Sequence, residues 1–438
     1  MNYVDLHVHS NASDGTLSPG EVVRYAASKQ LKAMALTDHD TIAGITQAKT
    51  AAAECGIELI PGIELSCFYQ ATEIHILGFF IDEHSEVLNE GLKHLVDIRT
   101  RRNEAMLKRF QDDGFQFTLE DLTAMNDTMY HRGPNDSGAE IYDAAGGYAI
   151  GFAQRRLSIM DLSPLGHQPM HAADKRVSVV FNGEIYNFQE LKKELSGYPF
   201  HSQCDTEVIL AAYEKWGIDC VSRFNGMFAI ALYDRDAQEV YLVRDRIGKK
   251  PLYYWEDGEN LVFASELKPI LACPGFDRKL NPDILPVFLY QQYIPEPDTI
   301  FEQVKKLCPG TILRFRLQPD NGQKRRECFS YWSIKESYQK GIADPVTDFS
   351  QAKAELKAIL QKSVKSRMEA VVPLGTFLSG GYDSSLMTAM AQEASEAPVK
   401  TFSIGFEEKQ YDESGYASAV ARHLGTQHTE EIISEKQM

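Results

Sequence analysis

Histidine and acidic side chains recur near the ends of short apolar runs in the N-terminal part of the chain. In the first run, hydrophobic and polar residues alternate, which places His7 and His9 on one face of a strand. A second run is followed by His39, a third ends at Glu64 and a fourth contains His75. Imidazole and carboxylate groups are ligands of Zn, Mn or Fe ions, and several such ions together can activate water and hold a phosphate oxygen. The pattern therefore predicts a metal site suited to phosphoester hydrolysis.

Alternating strands and helices must position these ligands. Ser18 and Pro19 open a capped helix, and a second helix is predicted from Thr41 to Cys55, closed by Gly56. Strands that each carry a polar ligand near the C-terminal end are typical of a parallel (β/α) barrel. Only about four strands are predicted before the pattern changes. Because an unclosed sheet leaves backbone edges and an apolar face exposed, we expect reduced stability.

The segments DLHVHSNASDGTLSP, ALTDHDT, PGIE and EIHILGFF resemble the N-terminal part of a PHP domain, the polymerase and histidinol phosphatase family. The resemblance implies a partial (β/α) barrel over residues 1–120, divalent metals (Zn, Mn or Fe) and a nucleotide phosphoester substrate. The family's later ligands are missing. Asp82 and His84 have the family's Asp-x-His form but follow the fourth strand too closely, so the site is expected to be incomplete. The implied ligands are His7, His9, Asp14, His39, Glu64 and His75.

A different sequence pattern follows the PHP-like part. From Gly146 onward, apolar or alternating runs bounded by Gly, Asp and Asn predict strands, and FQELKKEL and DTEVILAAYEKWG predict helices, so layered sheets flanked by helices are expected. The segments HRGPNDSG, QRRLSIMD, FNGEIYN, FNGMFAIALYD and RDRIGKKPLYYW then resemble, in order, the glutaminase domain of glutamine-dependent asparagine synthetases. This implies an N-terminal-nucleophile αββα fold over residues 121–335.

The same resemblance implies a glutamine site. Asn182 and Gly183 would form an oxyanion hole, and Glu184 and Asp205 would hold the amino acid end, as acyl transfer requires. Outside the resemblance, the NGE sequence could be a plain hairpin turn and Asp205 a helix cap. The implied glutamine-binding residues are Arg156, which would contact the carboxylate, together with Leu157, Ser158, Ile159, Met160, Asn182, Gly183, Glu184 and Asp205.

The family's nucleophile is a cysteine that becomes the first residue, so that its own amino group serves the proton transfers. Here residue 2 is Asn2, and the first cysteine, Cys55, lies in the PHP-like part. The family's opening strand is also replaced, so the glutaminase-like domain lacks its first strand. We therefore predict no glutamine hydrolysis and no catalytic nucleophile.

In residues 336–438, an amphipathic helical pattern precedes VVPLGTFLSGGYDSSLMTAMAQ, which reads as strand, glycine loop and helix. Backbone amides of such a loop suit pyrophosphate. SGGYDS resembles the PP-loop of ATP pyrophosphatases, which implies ATP and Mg as cofactors. The family continues well past the position of Met438, so aspartate adenylation is expected to be impaired. The implied ATP-binding residues are Leu378, Ser379, Gly380, Gly381, Asp383, Ser384 and Ile404.

Composition limits the alternatives. The 438 residues carry a formal charge of −17, which argues against a stable nucleic acid partner. No apolar run approaches the ~20 residues needed to span a bilayer, and no signal peptide is recognisable, so no membrane partner is expected. Seven scattered cysteines without a CxxC pair indicate reduced thiols and a cytoplasmic location. Small molecules are the expected partners, and a homodimer is left open.

These patterns predict a multidomain protein of mixed α/β and α+β class. The leading hypothesis is an asparagine synthetase of the glutamine-hydrolysing type, which converts aspartate, ATP and glutamine to asparagine, AMP, pyrophosphate and glutamate, with impaired or absent activity in this chain. One alternative is metal-dependent phosphoester hydrolysis by the N-terminal part. The other is a fusion, or a misassembled chain, without a complete active site.

Overall fold

The computed structural model describes residues 3–13, 15, 17–69, 72–85, 87–92, 117–256, 260–318, 324–408, 410 and 412–434. These residues belong to two compact units, Met1–Phe115 and Gln116–Met438, and each is described by itself. Among the described helices, none combines the length and the apolar character that crossing a bilayer requires. The class is mixed α/β, as predicted.

The first unit is a four-stranded sheet with two helices packed on it. The helices bury Val23 and Ala48 against Met34 and Leu36 of the second strand. A capping box formed by Ser18 begins the first helix, and the left-handed Gly56 (φ +66°) ends the second, as predicted. The elements are β1 (Tyr3–Val8), α1 (Pro19–Ser28), β2 (Leu31–Leu36), α2 (Ile45–Cys55), β3 (Glu58–Tyr69) and β4 (Thr72–Phe79), with a helical segment at 87–92.

The expectation of parallel strands holds for β1 to β3 but is wrong for β4. Strand β4 runs antiparallel to β3 and pairs His75 with Ser66. Only two residues separate the strands, and a parallel connection needs a much longer crossover, so the chain forms a hairpin. Because Ser66 and Glu64 are two residues apart, the hairpin places His75 on the same face as Glu64. On the edge strand β1, Tyr3 and Val4 are more than half exposed, as expected of an open sheet.

The second unit begins with three antiparallel sheets. The largest has six strands in the order β15–β14–β10–β9–β8–β7, the next has three in the order β12–β11–β13, and β5 and β6 form a separate pair. Strand β5 begins before Gly146, where the sequence first indicated strands. The strands are β5 (Asp136–Asp143), β6 (Ala149–Arg156), β7 (Met170–His171), β8 (Val177–Ile185), β9 (Gly226–Asp234), β10 (Glu239–Arg244), β11 (Tyr253–Glu256), β12 (Leu261–Ala264), β13 (Val304–Lys306), β14 (Thr311–Arg316) and β15 (Arg326–Ser330).

The six-stranded sheet is buried on both faces. One face packs Val179 and Phe181 against helical residues such as Val208. The other packs Val180 against Phe152 of the β5–β6 pair. This double burial explains the nearly continuous apolar runs of these strands, and it confirms layered sheets flanked by helices. The helices are α3 (Leu119–Asp127), α4 (Phe188–Glu194), α5 (Thr206–Trp216), α6 (Leu267–Ala272) and α7 (Leu285–Gln291).

The unit continues with helices and a three-stranded parallel sheet in the order β16–β17–β18. Leu378 packs with Ala417 and Ala421 in a small core beneath the last helix. The long amphipathic pattern and the strand–glycine loop–helix sequence are observed as predicted. The elements are α8 (Ile334–Ala343), α9 (Phe349–Arg367), β16 (Gly375–Phe377), α10 (Tyr382–Ala394), β17 (Lys400–Phe406), α11 (Ser414–Leu424) and β18 (Gln427–Ile433).

The turn after β10 is organised by one buried carboxylate, that of Asp245. Its oxygens accept hydrogen bonds from the backbone N–H groups of Phe228, Ile247, Lys249 and Lys250 at 2.9 to 3.2 Å. Four backbone donors therefore depend on a single side chain that is 1% exposed. The turn carries Lys250, which lines the cavity of this unit.

We expect Asp245→Ala to lower the free energy of unfolding of the second unit by roughly 2–4 kcal/mol, because buried donors lose their acceptor. Urea unfolding followed by tryptophan fluorescence measures this, since Trp216, Trp255 and Trp332 all lie in this unit. The matched control is Asp236→Ala at an exposed position, with an expected change within about 0.5 kcal/mol. Equal unfolding curves for both variants would contradict the role of Asp245.

Candidate functional site

The first unit brings together five of the six predicted metal ligands. The Oε2 atom of Glu64 lies 2.7 Å from Nε2 of His7, 2.9 Å from Nε2 of His9 and 3.7 Å from Nε2 of His39. Its Oε1 atom lies 2.7 Å from Nδ1 of His75. One buried carboxylate on β3 is thus surrounded by four imidazoles from three other strands or strand ends. The sixth predicted ligand, Asp14, lies outside the described residues.

The donor set of this cluster fits divalent metals. Burial raises the pKa of Glu64, but hydrogen bonds with His7 and His75 and the nearby His39 lower it on balance, so the carboxylate is ionised. Two groups of three ligand atoms, each within 4.8 Å of one another, share Glu64: one adds His7 and His9, the other His39 and His75. Imidazole nitrogens and one carboxylate suit Zn, Mn or Fe.

Two aspartates support the cluster, and the sequence did not assign them this role. The buried Asp38 accepts hydrogen bonds from the N–H and hydroxyl of Ser10 and from the hydroxyl of Ser13, which fixes the loop after β1. Asp40 accepts a hydrogen bond from the N–H of Ser66 at 2.9 Å, beside the β3–β4 hairpin. By contrast, the side chain of His84 is 88% exposed and belongs to neither group of ligand atoms. The sequence likewise did not predict that Asp82 and His84 complete the metal site.

The second unit contains a cavity of about 400 Å³ between β6, β8, β9 and the segment after β6. All the predicted glutamine-binding residues except Ser158 line it. Ser158 is half-buried, and its N–H donates to the side chain of Asn135 at 3.1 Å. Three further lining residues, Arg132, Lys250 and Ser265, were not predicted. The RGP and GKKP motifs contain two of them, but as local patterns they indicate only turns.

Arg156 is held at one end of the cavity by backbone carbonyls. Its guanidinium donates to the carbonyl oxygens of Asp161 and Ser163. Gly166 lies against the same group, because a Cβ there would be 1.9 Å from the Nη2 atom of Arg156. The carboxylate of Asp161 accepts hydrogen bonds from the N–H groups of Ser163 and Gln203 and so closes the loop. A guanidinium has five N–H donors, so Arg156 retains donors for a ligand carboxylate.

The adjacent wall is strand β8. A Cβ at position 183 would lie 2.1 Å from the carbonyl oxygen of Met227 on β9, so only glycine fits there. The side-chain amide of Asn182 donates to the hydroxyl of Ser265 at 3.3 Å. At the end of the strand, the N–H of Ile185 donates to the carboxylate of Asp205 at 2.8 Å.

Two carboxyl groups, Glu184 and Asp205, line the cavity beyond this wall. Burial raises the pKa of Asp205 to about 6. Burial also raises the pKa of Glu184, opposed by the positive charges of Lys250 and Arg367. For Lys250, burial and the neighbouring Arg132 lower the pKa of the amine. The cavity therefore presents a guanidinium and carboxyl groups, the partners that the carboxylate and the ammonium group of an amino acid require.

Cys204 is the cysteine in the lining of this cavity. Its sulfur lies 3.1 Å from the hydroxyl oxygen of Thr206. Burial and the neighbouring Asp205 raise the pKa of the thiol to about 11. A thiol that is protonated at neutral pH is a poor nucleophile.

The glycine loop between β16 and α10 is a third candidate site. Gly380 has a left-handed φ of +82°, and a Cβ there would lie 2.5 Å from Cβ of Tyr416. The hydroxyl oxygens of Ser379 and Ser384 are 3.0 Å apart across the loop. Gly381 and Asp383 lie in the same turn at the start of α10. Two predicted residues lie elsewhere: the side chain of Leu378 is buried in the core, whereas Ile404 is half exposed on β17.

Three family models match parts of this chain. A family model of the glutamine amidotransferase domain matches residues 108–332, a PHP domain model matches residues 5–146, and an asparagine synthase model matches residues 355–438. One solved structure, an amidohydrolase from Chromobacterium violaceum, is 34% identical with a TM-score of 0.22, and the match covers 30% of this chain and 39% of that chain.

Curated relatives are named glutamine-hydrolysing asparagine synthetases. Asparagine synthetase 1 of Bacillus subtilis is 35% identical over 319 residues, which is 72% of this chain and 47% of the relative. A Methanocaldococcus jannaschii protein, provisionally named asparagine synthetase 2, is 38% identical over 340 residues, 74% of this chain and 64% of the relative. The chain thus spans about half to two thirds of the length of these relatives. Because the amidotransferase match includes more than half of the 438 residues, the chain belongs to the glutamine amidotransferase domain family.

Proposed function

We propose that the second unit is the glutamine- and ATP-binding part of a ligase of the asparagine synthetase type. Such a ligase consumes aspartate, ATP and an amide or ammonia nitrogen and releases asparagine, AMP and pyrophosphate. The observation that carries the proposal is the cavity, where the predicted glutamine-binding residues other than Ser158 converge. The names of the curated relatives support the same reaction class.

In this proposal the cavity binds glutamine by the two charged groups on its α-carbon. Arg156 receives the carboxylate, and Glu184 and Asp205 receive the ammonium group. The side-chain amide oxygen then faces the amide of Asn182 and the backbone of Gly183, which would be donors to a developing oxyanion. Because both charged groups are on the α-carbon, these contacts fix that end of the ligand and direct its side-chain amide toward β8.

In this proposal glutamine is not hydrolysed in the cavity, because no cysteine thiolate is available among the lining residues that the structure describes. The sequence contains no cysteine between Cys67 and Cys204, and Cys204 is buried with its thiol protonated at neutral pH. In the family's mechanism, an N-terminal cysteine is the nucleophile and its own amino group is the base. Free ammonia is therefore the nitrogen source of any synthetase reaction in this chain.

The nucleotide belongs at the glycine loop. Ser379, Gly380, Gly381, Asp383 and Ser384 would hold ATP phosphates and Mg, because backbone amides at a helix start suit anions and carboxylates suit Mg. The adenine-side roles of Leu378 and Ile404 are part of the same proposal. So are three domain assignments: a partial PHP barrel (1–120), an N-terminal-nucleophile αββα domain without its first strand (121–335), and the start of a PP-loop ATP pyrophosphatase domain (336–438).

With aspartate, ATP and Mg present, we expect pyrophosphate release to require ammonium chloride. Glutamine at equal concentration should support less than about a tenth of that rate, since the nucleophile alone is worth orders of magnitude. Asp383→Asn should lower the rate at least about tenfold, and Asp344→Asn, at an exposed position outside the loop, should not. A coupled pyrophosphate assay measures all of these rates.

Two results of this assay count against the proposal. Glutamine that works as well as ammonia would show that a nucleophile exists. No aspartate-dependent pyrophosphate with either donor would remove the ligase assignment.

A second candidate function, metal-dependent phosphoester hydrolysis, is favoured by the convergence of four histidines on Glu64. His7, His9, His39, Glu64 and His75 would hold the metal, with Asp14 as a further expected ligand. Bound divalent ions of this kind lower the pKa of water and polarise a phosphoryl oxygen. The substrate in this proposal is a small nucleotide phosphoester, and the metal is Zn, Mn or Fe.

We expect purified protein to carry Zn, Mn or Fe by elemental analysis and to hydrolyse bis(p-nitrophenyl) phosphate. Glu64→Gln should lower both metal content and hydrolysis at least about tenfold, because it removes the charge shared by both ligand groups. His84→Ala, outside the cluster, is the matched control and should retain both. Equal metal content in Glu64→Gln and wild type would contradict the site. Metal binding without hydrolysis, together with no synthetase activity, would leave the third reading, a non-catalytic fusion.

A further inference from the structure

Lys250 lies beside the cavity wall that β8 forms, although it belongs to the turn after β10. Its backbone N–H and that of Phe228 donate to the same carboxylate oxygen of Asp245, at 2.9 and 3.2 Å. Phe228 on β9 is paired directly with Gly183 on β8. The turn therefore holds Lys250 next to the strand pair that carries Gly183, and Lys250 lines the cavity.

Arg132 is placed beside the same wall by a different set of contacts. The side-chain amide of Asn182 donates to the hydroxyl of Ser265 at 3.3 Å, and the next residue, Glu266, accepts a hydrogen bond from Nη1 of Arg132 at 3.2 Å. The same oxygen of Glu266 lies 3.0 Å from Nε2 of His131. Arg132 thus lines the cavity near Asn182, with its charge offset by Glu266.

The ammonium group of Lys250 is not offset in this way. It forms no hydrogen bond and no ion pair with any residue that the structure describes, and Lys250 is half-buried. Burial and the neighbouring Arg132 lower the pKa of this amine, whereas Glu184 and Asp245 oppose the change. An anionic group of a ligand would pair with such a cation and favour its charged form.

In the proposed binding mode, the side-chain end of the amino acid faces Asn182 and Gly183, beside the two cations. A γ-carboxylate at this place would accept from the amide of Asn182, as an amide oxygen does, and would also pair with Lys250. The charge of Glu184, which follows Gly183, is offset in this mode by the ammonium group of the ligand.

From this geometry we propose that Lys250 is a specificity-determining residue, which makes the cavity prefer an amino acid with an anionic side chain, of the length of L-glutamate, to L-glutamine. The inference rests on the proposed amino acid site and names a further class of ligand for it. A cavity with this preference responds to the acidic amino acid as well as to its amide.

The test is calorimetric titration of the full chain at neutral pH with L-glutamate and with L-glutamine, and the quantity compared is the ratio of the two dissociation constants. We expect wild type to bind glutamate about fivefold or more tightly, since a charge-assisted hydrogen bond is roughly twice as strong as a neutral one. Lys250→Met should reduce this preference to about one. Lys250→Arg keeps a cation and should retain most of the preference.

Two controls separate the charge of Lys250 from other effects. Lys249→Met removes a cation from the same turn, at an exposed position outside the lining that the structure describes, and should keep the wild-type preference. The γ-methyl ester of L-glutamate has nearly the size of glutamate but no side-chain charge. It should bind wild type no more tightly than glutamine, which tests the charge without any substitution.

The outcomes distinguish this inference from the site on which it rests. Glutamate that binds wild type no more tightly than glutamine would overturn the inference and leave the glutamine site in place. A preference that persists in Lys250→Met, or that the γ-methyl ester shares, would also overturn it. Binding of glutamate without glutamine would support the inference and count against glutamine as the ligand. Absence of binding of both amino acids to wild type would overturn the proposed site together with the inference.

Discussion

The hydrogen bond from the N–H of Ile185 to the buried carboxylate of Asp205 is the contact on which the cavity of the second unit depends. It joins the end of β8 to the start of α5 and places Asn182, Gly183 and Glu184 along one wall. On the other side of β8, the close approach of Met227 allows only glycine at position 183. The wall is therefore fixed from both sides.

The wall is fixed, but its charges depend on other elements. Asp205 is buried and its pKa is raised to about 6, so its charge is sensitive to pH near neutrality. Glu184 depends on cations from the turn after β10 and from α9. The turn after β10 itself depends on Asp245, whose carboxylate accepts four backbone hydrogen bonds. The charges of this cavity thus depend on several elements, of which only some carry a recognisable motif.

Sequence reasoning succeeded where local pattern and local structure coincide. The capping box at Ser18, the left-handed Gly56 and the alternation around His7 and His9 are local features, and the structure has them all. Ordered motifs also named eight of the residues that line the cavity, because short segments such as FNGE carry several of them in one strand.

Other features could not be predicted because they depend on cross-strand neighbours. The antiparallel direction of β4 follows from its short connection, not from its apolar pattern. Lys250 and Arg132 line the cavity only because distant turns meet there. Leu378 lies in a core whose partners come from a helix about forty residues later, so its burial has no local signal.

The central claim is that this cavity binds glutamine without hydrolysing it. The most direct measurement is saturation-transfer NMR on the full chain with ¹⁵N-amide glutamine, recorded over several hours. The account predicts transfer to the glutamine protons, displacement by excess unlabelled glutamine and no formation of labelled ammonium. Labelled ammonium that accumulates with the wild-type chain, at a rate lowered by Asn182→Ala, would contradict it.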